Sequence, residues 1–379
     1  MKRLVCLLSL WALLCGTPLL ACTTAIVSAE ASATGRPMIW KQRDAGNVHN
    51  CLAWTKGRVY DFTAVVPVSA KKRKSAYGGI NTAGFAIANN LSYNLEEKDP
   101  EVDPRNGLFM YQALGQCATL ADFEKMLDAR PDSIKISSNF AVIDAQGGAA
   151  YFEAGEQGWT RYDVPRGGVL YRTNFSLSGK ENEGAGYARW EAIRKSMDKP
   201  RRGGYDPAFF LDISRWFYDG VNGKDALKGS GDYLLDRNYI PRTSTASSLV
   251  IEGVTPEDRP DGGLMWFVAG YPPCCYAVAA WVASGEELPA CISADAPANA
   301  LAVELMGRVH PFPWKGGNEY LDVKALGKIT PLVRKAEKQE LKAAGALAKT
   351  FRNSGFDLEA LKRYNAEADA RFAAFKAQF

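Results

Sequence analysis

What most constrains this chain is how its apolar runs are segregated. Strand-length runs broken by turn signals fill roughly the first 290 residues, and long helical patterns follow. Residues 23–27 and 38–40 flank the turn signal Ala33-Thr34-Gly35-Arg36-Pro37. They predict a hairpin with Cys22 at its open end. Further strands are expected within 59–68, 84–88, 140–143, 149–153, 168–171, 244–251 and 264–268. A helix should start near Thr119, where Asp122 has the capping-box spacing and Leu120, Phe123, Met126 and Leu127 share one face. Residues 181–196 and 207–217 also read as helices. From Ala298 onward the chain turns helical; 331–350 is rich in Ala, Lys, Glu and Leu, and 358–379 continues in that style. The fold class is therefore α+β, with helices covering stacked antiparallel strands so that apolar sheet faces are buried.

The first residues, MKRLVCLLSLWALLCGTPLLACTT, place Lys2 and Arg3 before an apolar run and end in Leu19-Leu20-Ala21. That is the layout of a secretory signal peptide, too short in its apolar part for a membrane span. We expect cleavage after Ala21, export to the periplasm or beyond, and Cys22 as the first mature residue. Leu19-Leu20-Ala21-Cys22 also resembles a bacterial lipobox, so lipid anchoring at Cys22 is the alternative. The expected organisation is a leader over 1–21, a main domain over 22–297, and a helical region over 298–379 that packs on the core or forms a dimer surface.

Removing Lys2 and Arg3 takes the formal charge from +4 to +2, a balance that argues against a nucleic-acid surface. The basic run Lys71, Lys72, Arg73, Lys74 reads as a solvated loop. Six of the eight cysteines follow the leader: Cys22, Cys51, Cys117, Cys274, Cys275 and Cys291. Export permits disulfides, and Cys274 or Cys275 is a candidate partner for Cys291. With only two histidines, His49 and His310, the zinc spacings built on histidine are absent, and no metal or nucleotide is needed.

A thiol nucleophile needs a proton acceptor and an oxyanion donor. His49 lies in the polar loop DAGNVHN and His310 precedes Pro311, so each reads as a surface or turn histidine rather than a base. An N-terminal cysteine meets the need differently, because its own α-amine titrates near ~8 and can take the thiol proton. Loss of the leader would create that amine and uncover the thiol together.

The segment CTTAIVSAEASATGRPMIWKQRD resembles the mature start of the N-terminal-nucleophile hydrolases related to choloylglycine hydrolase and penicillin V acylase. It resembles still more the acyl-coenzyme A:6-aminopenicillanic acid acyltransferase-like group. The resemblance runs from about Cys22 to Pro273 and implies a four-layer αββα core, here with a helical C-terminal extension. By that resemblance Cys22 is the nucleophile. Lys41 stands where the choloylglycine branch has an arginine, three positions before Asp44, with Arg43 the other candidate for the positive charge. Asp44 would hold the α-amine. Asn81, in Asn81-Thr82-Ala83-Gly84, would donate to the oxyanion. Asn174 would orient the substrate carbonyl or the amine, and Arg242 would hold Asp44 or the acyl intermediate. The implied activity is cleavage of a non-peptide amide in a small N-acylated molecule through a Cys22 thioester. Acyl transfer from the same thioester, or a lipid-anchored binding protein, are the alternatives. Trp40, Tyr93, Trp266 and Tyr271 are aromatic residues that would line an acyl pocket or else belong to the core.

Overall fold

In the computed structural model, residues 21–69, 74–97, 104–197, 201–236, 238–311 and 320–379 are described. The leader through Leu20 and the run Lys71–Arg73 lie outside them. In chain order come strands β1 (Cys22–Val27), β2 (Met38–Asp44), β3 (Asn50–Thr55), β4 (Phe62–Pro67), β5 (Gly78–Asn81) and β6 (Ala86–Leu91). Helices α1 (Asn106–Leu114) and α2 (Leu120–Asp128) follow, then β7 (Ser138–Ile143), β8 (Ala149–Gly155), β9 (Gly158–Asp163) and β10 (Val169–Arg172). Next are α3 (Tyr187–Met197), α4 (Pro207–Ile213), the short β11 (Tyr218–Asp219), β12 (Lys224–Asp225) and β13 (Tyr233–Leu235), and the long β14 (Thr245–Glu252). The chain closes with β15 (Leu264–Val268), β16 (Ala277–Trp281), α5 (Pro297–Val309), β17 (Tyr320–Asp322), α6 (Val323–Ser354) and α7 (Leu358–Lys376).

Two large antiparallel sheets stack face to face. The first runs β10-β1-β2-β14-β15-β16, and the second is a seven-stranded meander from β3 to β9. The predicted hairpin forms, with Val27 opposite Met38 at the turn and Cys22 opposite Arg43 at the open end. Period-two alternation then sorts the side chains. Thr24 of β1 points between the sheets, where its hydroxyl meets Asn90 and Tyr151 of the second sheet. Trp40 and Gln42 of β2 point the other way and bond Ser214, just past α4.

Helices cover both outer faces. On the second sheet, Phe109 of α1 and Phe123 of α2 pack on Phe140 and Phe152 of β7 and β8. Burying each such ring contributes about 1.5–3 kcal/mol. The expected capping box starts α2: Thr119 accepts from the Asp122 backbone, and the Asp122 carboxylate accepts from the Thr119 N–H. On the first sheet, α3, α4 and the C-terminal helices form the cover, so the architecture is the αββα sandwich with a helical C-terminal extension.

The extension shares the core of the first sheet. Val333 and Ala344 of α6 and Leu361 of α7 are fully buried in it. Glu337 of α6 receives both terminal nitrogens of buried Arg215, at 2.7 and 2.6 Å. Arg215 also donates to the carbonyls of Pro272 and Cys275, which ties the extension to the segment entering β16.

Some boundaries differ from expectation. The helix expected over 181–196 begins only at Tyr187, because residues before it form a loop with Gly184 and Gly186 at positive φ. Strands β3, β9 and β16 lack the patterns used to read the others; β16 is Ala-rich and buried along its whole length. All six described cysteines are free thiols, so Cys291 is bonded to neither Cys274 nor Cys275.

Candidate active site

Cys22 opens β1 at the rim of the two-sheet stack, between β10 and β2. In the full chain its nitrogen belongs to the peptide bond with Ala21 and occupies the place a mature α-amine would take. That N–H donates to Asn174 Oδ1 at 2.8 Å. The Cys22 sulfur lies 3.8 Å from the Asp44 carbonyl oxygen. Asn174 follows β10, the strand beside β1, and its Nδ2 donates to the Leu91 carbonyl at the end of β6. One amide thereby spans both sheets and fixes the cysteine nitrogen.

Asp44 ends β2 and is buried. Its carboxylate does not take the cysteine nitrogen; it accepts from Arg242 Nε at 2.9 Å and from the Thr245 hydroxyl at 2.6 Å. The Arg242 backbone N–H in turn donates to Thr245 Oγ1. Arg242 and Thr245 thus occupy the Asp44 carboxylate, and the Cys22 nitrogen is held by Asn174 instead. Arg242 Nη2 is buried without a hydrogen-bond partner among the described residues.

Lys41 lies in β2 on the same face as Cys22 and is only 3% exposed. Its ammonium donates to the Tyr77 carbonyl and to Asn89 Oδ1, both at 2.7 Å. Burial draws its pKa down to about 8; the Cys22 charge works against that shift and Arg43 adds to it. Arg43, opposite Cys22 in the hairpin, lies 3.6 Å over the Tyr77 ring and donates to the Asn47 carbonyl. Burial lowers its pKa too, with Tyr77, Cys22 and Asp44 opposing. Both candidates for the positive charge thus sit beside the thiol.

Asn81 is not brought to this cluster. Both its amide hydrogens are committed to the Leu114 and Cys117 carbonyls at the end of α1, and its Oδ1 accepts from Ala83 and Phe85 N–H. Gly84 completes the turn at φ +82°, where an added Cβ would meet Val254 at 2.6 Å. The Asn-x-x-Gly element is thus a tight turn between β5 and β6 whose asparagine has no donor left for an oxyanion.

Sequence reasoning passed over Arg189. It projects from α3, 2% exposed, and donates to the Cys22 carbonyl at 2.6 Å, to Thr23 Oγ1 at 2.7 Å and to Asn174 Oδ1 at 2.8 Å. Burial, reinforced by neighbouring Arg242, lowers its pKa to about 10, with Asp44, Cys22 and Tyr93 opposing. Gly186, at φ +90°, gives it room, since a Cβ there would lie 2.5 Å from the guanidinium. The only sequence signal was the pair Gly184 and Gly186 interrupting a helical pattern.

Of the four aromatics, Tyr93 adjoins the site, its backbone N–H donating to the Asn174 carbonyl at 3.2 Å. Burial raises its pKa, as does the Cys22 charge, while Arg242 and Arg189 pull it down, so the phenol stays protonated. Trp40, Trp266 and Tyr271 are buried in the core, with the two indoles bonded to Ser214 and Ser248 and to Glu252. His310 is buried against Asp236 at 2.9 Å, at the end of α5, rather than on the surface; His49 is exposed. Among the described residues no group of three His, Cys, Asp or Glu side chains is placed to hold a metal, and no helix is long and apolar enough to cross a membrane.

No protein-family model matches the sequence, and no curated protein matches it either. Among solved structures, the chain is similar to a mutant of conjugated bile acid hydrolase from Clostridium perfringens, at 10% identity and TM-score 0.41 over 65% of this chain and 89% of that one. It is similar to the Caenorhabditis elegans ortholog of N-acylethanolamine-hydrolyzing acid amidase, at 13% identity and TM-score 0.36 over 50% and 84%. It is also similar to penicillin V acylase from Agrobacterium tumefaciens, at 15% identity and TM-score 0.37 over 67% and 85%. These likenesses do not single out the acyltransferase-like group. Being so distant, they say nothing of what this chain binds or cleaves.

Proposed function

We propose that this chain, once released at Ala21, is an exported cysteine amidohydrolase that cleaves a non-peptide amide in a small N-acylated molecule. The observation that carries the reading is the fixing of the Cys22 nitrogen by Asn174, with the Cys22 sulfur on the same residue and the cationic side chains of Lys41, Arg43 and Arg189 around it. In the mature chain that nitrogen becomes an α-amine. Arg189 and its neighbours disfavour the ammonium form, so the amine is available as a base near neutral pH.

The amine takes the thiol proton, and the thiolate sulfur bonds to the amide carbonyl carbon. Charge develops on the carbonyl oxygen, where the buried cations beside Cys22 offset it. The carbon–nitrogen bond breaks as the α-ammonium returns its proton to the leaving amine. Water then attacks the thioester, restoring the thiol and releasing a carboxylic acid. Asp44, held by Arg242 and Thr245, keeps the end of β2 in place under the sulfur.

The test is to prepare the mature chain, confirm Cys22 as its first residue, and follow amine release from a panel of N-acyl amino acids and acyl anilides. Acid quenching during turnover should trap an acyl adduct on Cys22, and Cys22→Ala should release no amine. Turnover by Cys22→Ala, or a mature Cys22 amine blocked by lipid, would overturn the proposal.

A further inference from the structure

A separate cavity of about 230 Å³ opens at the opposite end of the first sheet. Strand β14 starts beside Asp44 and ends at Glu252, which lines this cavity. The length of that strand separates the two ends by about 24 Å. The walls come from both parts of the chain: Glu252 and Trp281 from the sheet, and Phe351, Arg352 and Phe356 from the end of α6 and beyond.

Two features of the lining stand out chemically. Glu252 is 5% exposed, and one carboxylate oxygen accepts from Trp266 Nε1 at 2.7 Å. Burial raises its pKa, against hydrogen bonds from Trp266 and Thr34 and the charges of Arg352 and Arg36. A buried carboxylate of this kind gains from a cationic donor. Arg352, by contrast, makes no hydrogen bond or ion pair among the described residues. The other lining cations are satisfied locally, Arg36 by Asp258 and Arg259 by Asp261. Aromatic rings line the same cavity: Phe351 meets Trp281 edge-on at 5.7 Å and packs at a tilt on Phe356 at 5.0 Å.

We propose that this cavity binds a free aromatic α-amino acid. Its ammonium would pair with Glu252, its carboxylate with Arg352, and its ring with Trp281, Phe351 and Phe356. A simple carboxylate would set an anion against Glu252, and a simple amine would leave Arg352 unmatched. The volume lies below the roughly 300–1,000 Å³ of pockets for drug-sized ligands, which suits a single amino acid. Because the C-terminal extension supplies one wall, occupancy would also secure the extension against the sheet.

Calorimetric titration of the mature protein with L-phenylalanine tests this. One site is expected, with 3-phenylpropionate and phenethylamine each binding about tenfold or more weaker, since each lacks one charged contact. Arg352→Ala, a surface change that should not disturb folding, is expected to weaken phenylalanine by about tenfold or more and leave phenethylamine unchanged. Glu252→Gln, which keeps an acceptor for Trp266, should weaken phenylalanine and strengthen 3-phenylpropionate, whose carboxylate no longer faces an anion. Alkylating Cys22 should change none of these affinities. Absence of phenylalanine binding, equal binding by both variants and the parent, or loss of binding on alkylation would overturn the proposal.

Discussion

Replacing Lys41 tests the electrostatics of the cluster around Cys22. Its ammonium is buried between the sheets, and its pKa is about 8 rather than the ordinary 10.5. In the unfolded chain the lysine regains its ordinary value. Between pH 8 and 10.5 the unfolded state therefore binds more protons than the folded state, and this residue makes stability rise with pH across that window. Below the window it costs about 3 kcal/mol relative to a lysine left in water. Lys41→Met removes the charge but also leaves the Tyr77 carbonyl and Asn89 Oδ1 without this donor. Each loss costs about 1–3 kcal/mol, so the opposing effects largely cancel in the stability at pH 7. The pH dependence does not cancel, because neither acceptor titrates. Urea unfolding of parent and Lys41→Met, both in the mature form, should show the parent gaining about 2.5 kcal/mol on the variant from pH 7 to pH 10. A stability difference that stays constant over that range would refute the reasoning, since it would mean that no buried lysine charge is being relieved.

Arg189→Met should fold yet lower kcat/KM about a hundredfold or more, by loosening the Cys22 carbonyl and Asn174. Removing a cation beside the α-amine raises the amine pKa, so the acidic limb of the pH profile should move to higher pH, and Arg189→Lys should restore part of both effects. Asn81→Ala should destabilise the fold, measured by urea unfolding, while kcat per titrated thiol changes only a few-fold; a selective loss of kcat would reinstate Asn81 as an oxyanion donor. Glu337→Gln leaves the Arg215 guanidinium buried beside a neutral partner and should cost about 3–5 kcal/mol in chemical denaturation.

Local signals were legible where one residue's chemistry sufficed. The turn signal at Gly35 and the flanking runs predicted the hairpin, and the Thr119–Asp122 spacing predicted the start of α2. The segregation of strands and helices anticipated the layers. Strand β16 was not legible: its AVAAW sequence has no alternation because sheet and helices bury both faces. At the site, Lys41, Arg43 and Asp44 came into view through the resemblance, as an arginine-like position three residues before an aspartate, and the hairpin register sets Arg43 opposite Cys22. Arg189 could not be found that way, because it reaches the cysteine from a helix 167 positions later. Asn81 failed for the opposite reason: a short asparagine–glycine spacing suits a turn as well as a catalytic donor, and only the partners of its amide tell them apart.

The six described cysteines also have a consequence for handling the protein. Cys51, Cys117, Cys274, Cys275 and Cys291 are at most 3% exposed, and Cys22, at 9%, stands at the rim of the site. Burial pushes the Cys117 and Cys275 thiols up to about 12, and the Cys274 and Cys291 thiols are also raised, so these four are poor nucleophiles while the chain is folded. Among the described cysteines, a thiol-specific label should therefore mark Cys22 first on the folded chain and the rest only as it opens. The order in which the silent thiols become labelled would report which layer of the sandwich gives way first.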